Sequence, residues 1–188
     1  MKIKIALLTL CFTFIVGSYD PHEHYTKLYT KILLKGVDNW NKYRIKHFYL
    51  SNFTFSKLVL ENKNIDRINL EKITIYFLFL ERVKIRKANL RKSYFGGSAI
   101  NTDFSYSNFD KTKFSLDIKE CSLYKVKFRN GEIVGDIEKS QFIKADLSGT
   151  LFNFCDINNS VFNYAKFNKT KIKYDTKFIN CDFIQTDF

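Results

Sequence analysis

His22, Glu23 and His24 stand together near the start of the chain, and two imidazoles so close could begin a metal site. A zinc site needs further ligands at set spacings, and none follow. The pair reads as a solvated helix start, and no metal or cofactor is called for. Cys121, Cys155 and Cys181 could act as nucleophiles or ligands. Each, however, falls at the same place in a five-residue pattern, a place held almost everywhere else by Ser, Thr, Ala or Gly, so each reads as a core filler. There is no glycine-rich phosphate loop and no serine elbow. No catalytic residue is identified, and the chain reads as a non-enzyme. What remains is charge: 31 Lys and Arg against 19 Asp and Glu leave +12 at neutral pH, which favours an anionic partner.

The elements that must position those charges are read from the pattern itself. From Lys87 onward a large apolar residue returns at nearly every fifth position: Leu90, Phe95, Ile100, Phe104, Phe109 and Phe114, and so on through Phe128, Leu147 and Phe167 to Phe178, Phe183 and Phe188. Two places before each stands a small residue, Leu116 and Val126 excepted. A period of five fits neither an amphipathic helix nor a half-exposed strand. Two of every five side chains point inward on a short extended piece, and the rest turn a corner. A chain that turns so often winds into a coil whose backbone groups pair with the coils above and below.

The units KANLR, NTDFS, YSNFD, KADLS and NCDFI, around Leu90, Phe104, Phe109, Leu147 and Phe183, resemble those of the pentapeptide-repeat family. The resemblance covers about two-thirds of the chain. It implies an all-β solenoid: a right-handed quadrilateral β-helix, four units to a coil and about seven coils. It also implies that outward residues four units apart stack into columns. One column then holds Arg67, Lys87, Tyr106, Lys125, Lys144 and Tyr164. The next holds Lys72, Lys92, Lys111, Asn130, Gly149 and Lys169, with Arg91 and Arg129 beside it. A third face carries Tyr76, Phe77, Tyr94, Phe154 and Tyr174, and the fourth carries Asp117, Asp136 and Asp156 near Glu81, Glu120 and Glu138.

Three segments make up the chain. Residues 1–18 read as a signal peptide: Lys2 and Lys4, an apolar run from Ile5 to Val16, and small residues at Gly17 and Ser18. The run is too short to serve as a transmembrane span. Its removal leaves +10 on a chain expected outside the cytoplasm, periplasmic or secreted. Residues 19–47 read as a helical N-terminal cap. Asp20-Pro21 forms the helix start, Gly36 is a break, and Trp40 lies over the open first coil. Lys27, Lys31 and Lys35 also suit a membrane-surface helix. Residues 48–188 form the β-helix. Between Phe53 and Ile85 the pattern is coarser, with centres at Phe53 and Leu58, a slip near Lys63, and then Ile65, Leu70, Ile75, Leu80 and Ile85 in step. Ile68, Ile73, Leu78 and Val83 in the small place should widen these coils.

The expected role is a non-catalytic, exported scaffold for an unknown protein or an anionic surface. Its partner face comprises Arg67, Lys72, Lys87, Arg91, Lys92, Lys111, Lys125, Arg129 and Lys144. The alternative is a nucleic-acid partner held by the basic and Tyr-bearing faces. Family members resembling duplex DNA through an acidic surface block topoisomerases, and the basic charge here argues against that role. Phe178, Phe183 and Phe188 at the last coil are expected to pair two copies end to end.

Overall fold

The computed structural model describes residues 21–47 and 53–188. The expected leader and Asp20 lie outside the described residues.

One unit, Ser107 to Lys111, explains the five-residue period. Ser107 is fully buried, and its hydroxyl donates to the Ile85 carbonyl of the preceding coil at 2.6 Å. The Asn108 Oδ1 accepts the Asp110 N–H at 2.9 Å, an Asx turn that bends the chain. Phe109 fills the interior. Lys111 takes φ +60° and turns the corner. The backbone is tied in both directions: Asn108 N–H donates to Ala88 O at 2.9 Å, and Phe109 N–H donates to Lys127 O at 2.7 Å. The inward place is small because a hydroxyl or thiol there reaches a carbonyl about one coil earlier. Ser93 reaches Leu70 O (2.6 Å), Thr112 reaches Leu90 O (2.6 Å) and Cys155 reaches Ile133 O (3.2 Å).

Repeated, the unit gives an all-parallel β-solenoid. Its strands are β1 (Phe53–Glu61), β2 (Ile73–Glu81), β3 (Tyr94–Ile100), β4 (Lys113–Lys119), β5 (Glu132–Ile133), β6 (Ile137–Glu138), β7 (Leu151–Asn153), β8 (Asp156–Asn158), β9 (Lys171–Lys173) and β10 (Lys177–Ile179). The order β1-β2-β3-β4-β5-β7-β9 forms the first wall, and β6, β8 and β10 carry the second below β4. Single parallel bridges make the third wall, Asp103 to Ser122 to Gln141 to Val161, and the fourth, Asn69 to Asn89 to Asn108 to Lys127 to Asp146 to Lys166. Six turns separate β1 from β9, and residues 171–188 form a seventh coil. The repeat distance is 20 residues at Phe53 opposite Ile73, 19 at Phe95 opposite Phe114, and 20 again at Phe152 opposite Ile172. Inside, Phe109 stacks on Phe128 (5.3 Å between ring centroids), and Phe142, Phe162 and Phe183 stack in series.

The register corrects the phase at two places. Phe53 and Leu58 lie opposite Ile73 and Leu78, so they occupy the inward place that is usually small; the centres of the first coil are Phe55 and Leu60, and nothing slips at Lys63. In the third coil the centre is Ala99, opposite Leu80 and Ile118, and Ile100 faces solvent. The cause is a bulge: Tyr76 and Phe77 of β2 face Gly96 alone. Beside it, Gly97 has φ +131°, and a Cβ there would stand 2.1 Å from the Leu78 carbonyl oxygen, so only glycine fits. The widening expected near the start takes the form of a missing corner. β1 to β4 run unbroken for seven to nine residues through the place where the first corner should be. Buried Leu58, Leu78 and Leu116 fill the interior there. That corner is restored at Gly135, Phe154 and Tyr174, all with positive φ.

Two helices, α1 (Pro21–Leu34) and α2 (Val37–Lys46), lie over the first coil and divide at Gly36. Trp40 is fully buried against Tyr29, Phe53 and Phe55. α2 also supplies what a preceding coil would have given. Trp40 Nε1 donates to Asn69 O (2.7 Å), Asn41 Oδ1 accepts Asn69 N–H (2.9 Å) and Arg44 Nη2 donates to Glu71 O (2.5 Å). Thr26 of α1 likewise accepts the Ser56 N–H at 3.0 Å. The helices thereby seal an edge that would otherwise invite another strand.

Truncating Phe128 to Ala, in the middle of the stack, is expected to cost about 3–5 kcal/mol. Lys127→Ala, one residue away and outward, should cost under about 0.5 kcal/mol. Urea melts of the two variants measure the difference.

Candidate anion-binding face

Every corner residue stands at positive φ and projects outward, so corners are where long side chains collect. The corner after the third wall holds Arg67, Lys87, Tyr106, Lys125, Lys144 and Tyr164; the corner after the fourth holds Lys72, Lys92, Lys111, Asn130, Gly149 and Lys169. The two corners edge the fourth wall, whose floor carries Arg91, Asp110 and Arg129 in successive coils. All nine residues expected for the partner face are therefore on one side of the rod.

They are not equivalent. Arg67, Lys72, Lys87, Lys92, Lys111, Lys125 and Lys144 are exposed, and none makes an ion pair among the described residues. Arg129 is committed: its Nη2 and Nε donate to the Asp110 carboxylate at 2.5 and 3.1 Å, and its N–H donates to the same group at 3.0 Å. Burial pushes the Asp110 carboxyl up, but these hydrogen bonds outweigh it and hold the group below its ordinary value. Arg91, half-buried on the same floor, further favours the ionised carboxylate. Seven of the nine are thus free to meet an anion, and two build the floor beneath them. Lys127, Lys166 and Lys169 belong to the same side and add to its charge.

Aromatic rings accompany the third-wall corner. Tyr106 and Tyr124 meet edge to face at 5.4 Å, and Lys125 Nζ lies 5.8 Å and 5.3 Å from their ring centres. Lys144 Nζ lies 5.6 Å from the ring centre of Tyr164. These contacts arise because residues 18 to 20 apart stack, a neighbourhood that the chain order alone conceals.

The other expected groups are elsewhere. Asp117, Asp136 and Asp156 stack on the second wall, which faces away from the fourth; the Asp136 N–H donates to Asp117 Oδ1 at 2.9 Å. Nearby Glu138 is paired with Lys119 and Lys139, and Glu81 with Arg82. Phe154 and Tyr174 stack at 5.1 Å on the first corner, and Tyr76 meets Tyr94 at 5.8 Å at the bulge. Cys121 and Cys155 are buried and Cys181 is half-buried, all three without a disulfide. Burial pushes the Cys121 and Cys155 thiols up to about 11, so at neutral pH they are protonated donors to carbonyls. His22 and His24 lie in the first turn of α1. Among the described residues no group of three or more His, Cys, Asp or Glu is placed to hold a metal, and no helix is long and apolar enough to cross a membrane.

Residues 140–173 match the family model described as "Pentapeptide repeats (8 copies)". The same register runs through six turns, on either side of the matched segment as well as within it. A search of curated proteins returns no match. Among solved structures it is similar to a trypsin-treated form of QnrB1, described as a plasmid-mediated fluoroquinolone resistance protein. That pair is 20% identical over 69% of this chain and 67% of the other, with a TM-score of 0.44. It is also similar to Rfr23 from the cyanobacterium Cyanothece 51142, 10% identical over 76% and 97%, TM-score 0.31. A third is HetL, described as involved in heterocyst differentiation regulation, from Nostoc sp. strain PCC 7120, 12% identical over 81% and 94%, TM-score 0.25.

The Asp110–Arg129 pair gives a pH dependence with a definite sign. The folded carboxyl lies below its ordinary 3.8, so the pair's contribution is present above that value and is lost as pH falls through the folded one. Urea melts from pH 6 down to about pH 2 should show Asp110→Asn less stable than the parent at the upper end. The gap should narrow on acidification.

Proposed function

We propose that the chain is an exported, non-catalytic scaffold that presents the fourth wall and its two corners to an anionic surface or polymer outside the cytoplasm. The observation that carries this reading is the segregation of seven exposed, unpaired cations onto the edges of one wall, over a floor of Arg91, Asp110 and Arg129. Random surface charge would scatter over all four walls; here the opposite wall carries the Asp117, Asp136 and Asp156 column. Export rests on the leader-like residues 1–18. Absence of catalysis is inferred from the family and from buried, protonated thiols.

A nucleic-acid partner is the second reading, favoured by the Tyr106, Tyr124 and Tyr164 rings set among Lys125 and Lys144. Pairing of two copies through Phe178, Phe183 and Phe188 belongs to the same proposal. The rings of Phe167, Phe183 and Phe188 lie together there, and Phe188 is 74% exposed.

Binding to phosphatidylglycerol vesicles and to a labelled oligonucleotide tests the face. Reversing Lys87, Lys92, Lys111 and Lys125 to Glu should weaken vesicle binding on the order of a hundredfold or more at low salt. Reversing Lys57, Lys173 and Lys177, on other parts of the rod, should change it less than about threefold. Equal losses in the two variants would mean that only net charge matters. Tighter, steeply salt-dependent binding to the oligonucleotide would favour the second reading. Light scattering on the same samples should give a dimer for the parent and a monomer for Phe188→Asp.

A further inference from the structure

The fourth corner carries a lysine in the first three coils and again at Lys169, but the column is interrupted at Asn130 and Gly149. There the surface sinks into a hollow of about 490 Å³, a size that suits a small ligand group. Besides Gly149, the residues around it are Arg129, Asn130, Ser148, Asn168, Lys169 and Lys171. The hollow exists because Gly149 has no side chain. A Cβ on it would come within 2.4 Å of Asn130 Oδ1, so the Asn130 amide already lies across the glycine.

Three basic residues line the hollow; Arg129 is paired with Asp110 and lies 3.9 Å from Asp146 Oδ2, whereas Lys169 and Lys171 have no carboxylate partner among the described residues. Asp110 holds Arg129, Asp146 Oδ1 accepts from the Ser148 hydroxyl at 2.6 Å, and Asp187 Oδ2 accepts from Asn168 Nδ2 at 2.9 Å. Lys169 and Lys171 make no ion pair among the described residues. Among the described residues the Arg129 Nη1 has no acceptor, whereas Nε and Nη2 are fixed on Asp110. The guanidinium is thus held in place with an open edge, and the exposed Lys169 and Lys171 line the same concavity. Concave basic surfaces concentrate field and anions.

We infer that this hollow seats one phosphoryl group. A carboxylate offers a single charge and two oxygens, whereas a phosphate monoester carries close to two charges and three strong acceptors. That complement suits two unpaired ammonium groups beside the open edge of a guanidinium. The inference rests on the proposed anion-binding face and deepens it: the lysine corners supply general attraction, and the hollow at Gly149 fixes the position of a phosphorylated partner. A phosphomonoester headgroup and free phosphate share this chemistry.

The discriminating variant is Gly149→Lys. It adds a positive charge and continues the lysine column, but fills the hollow. It should fold, because Lys111 and Lys169 occupy equivalent corners at φ 60° and 58°, and only the Asn130 side chain must move. Inorganic phosphate is titrated into the parent protein while backbone amide resonances are followed. Shifts are expected at Gly149, Asn130 and Lys169, and acetate at equal concentration should leave them nearly unmoved. Gly149→Lys should weaken phosphate binding at least about tenfold, and Lys171→Ala about threefold. Phosphatidylcholine vesicles doped with phosphatidic acid separate the sources: loss of binding in Gly149→Lys there assigns a headgroup, and loss with inorganic phosphate alone assigns the free ion. Unchanged or tighter phosphate binding by Gly149→Lys, shifts spread over every lysine corner, or an equal response to acetate would each overturn the inference. If the hollow fails, phosphatidylglycerol vesicles should still lose affinity on reversal of Lys87, Lys92, Lys111 and Lys125. If the broader reading fails instead, phosphate still moves the Gly149 amide.

Discussion

A chain that turns every five residues must place one residue of most units at positive φ, and the solenoid depends on that repeated concession. For residues other than glycine the left-handed region costs about 1–2 kcal/mol, and Asn, Lys, Arg, Tyr and even Phe154 accept it here. The turn is held from three sides. The Asx carboxamide or carboxylate one place before the centre accepts the N–H one place after it, as at Asn108 and Asp103. The buried hydroxyl or thiol ties each unit to a carbonyl in the coil before. The parallel ladder pairs backbone groups above and below, each bond contributing about 1 kcal/mol net. Burial of the large central residues provides the remainder of the driving force.

That constraint also decides where function can be written. Interior places accept only apolar or small groups, and the positions beside each centre are occupied by turns and bridges. The corner residue is the one whose side chain is both exposed and unconstrained by packing. Stacking then converts a sequence interval of 19 or 20 residues into neighbours on the surface. Two corners can consequently be basic while the opposite wall is acidic, without disturbing the core. The first coil faces a different problem, because its upper backbone groups have no predecessor. Trp40, Asn41 and Arg44 answer it with side-chain donors and acceptors at the positions of missing strand partners.

Much of this was legible in the sequence because the pattern is long and its centres are nearly all Ile, Leu or Phe. The coiling and the inward place of the cysteines follow from phase, and the basic columns from phase together with the four-unit coil that the family resemblance implies. The errors occurred where size ceased to report phase. In the first coil Phe53 and Phe55 are both large and both buried, so size could not tell centre from small place. In the third, the interior residue is Ala99 while the larger Ile100 faces solvent, and a two-against-one bulge at Gly96 shifts the count. The commitment of Arg129 to Asp110 was hidden for another reason: the partners lie 19 residues apart and meet only once the coil length is known. The hollow at Gly149 likewise needs a surface, since in the chain it is one glycine following one serine.

The central claim is that corner residues stack in a straight column, one per coil. It is tested most directly by electron–electron distance measurement between spin labels at Lys72→Cys and Lys169→Cys, with the four native cysteines, Cys11, Cys121, Cys155 and Cys181, replaced by Ser. These corners are five coils apart along the fourth corner, about 24 Å at strand spacing. The account expects one narrow distribution near that separation, widened only by the label arms. A broad distribution, or a distance far outside that range, would contradict the register on which the columns and the partner face depend.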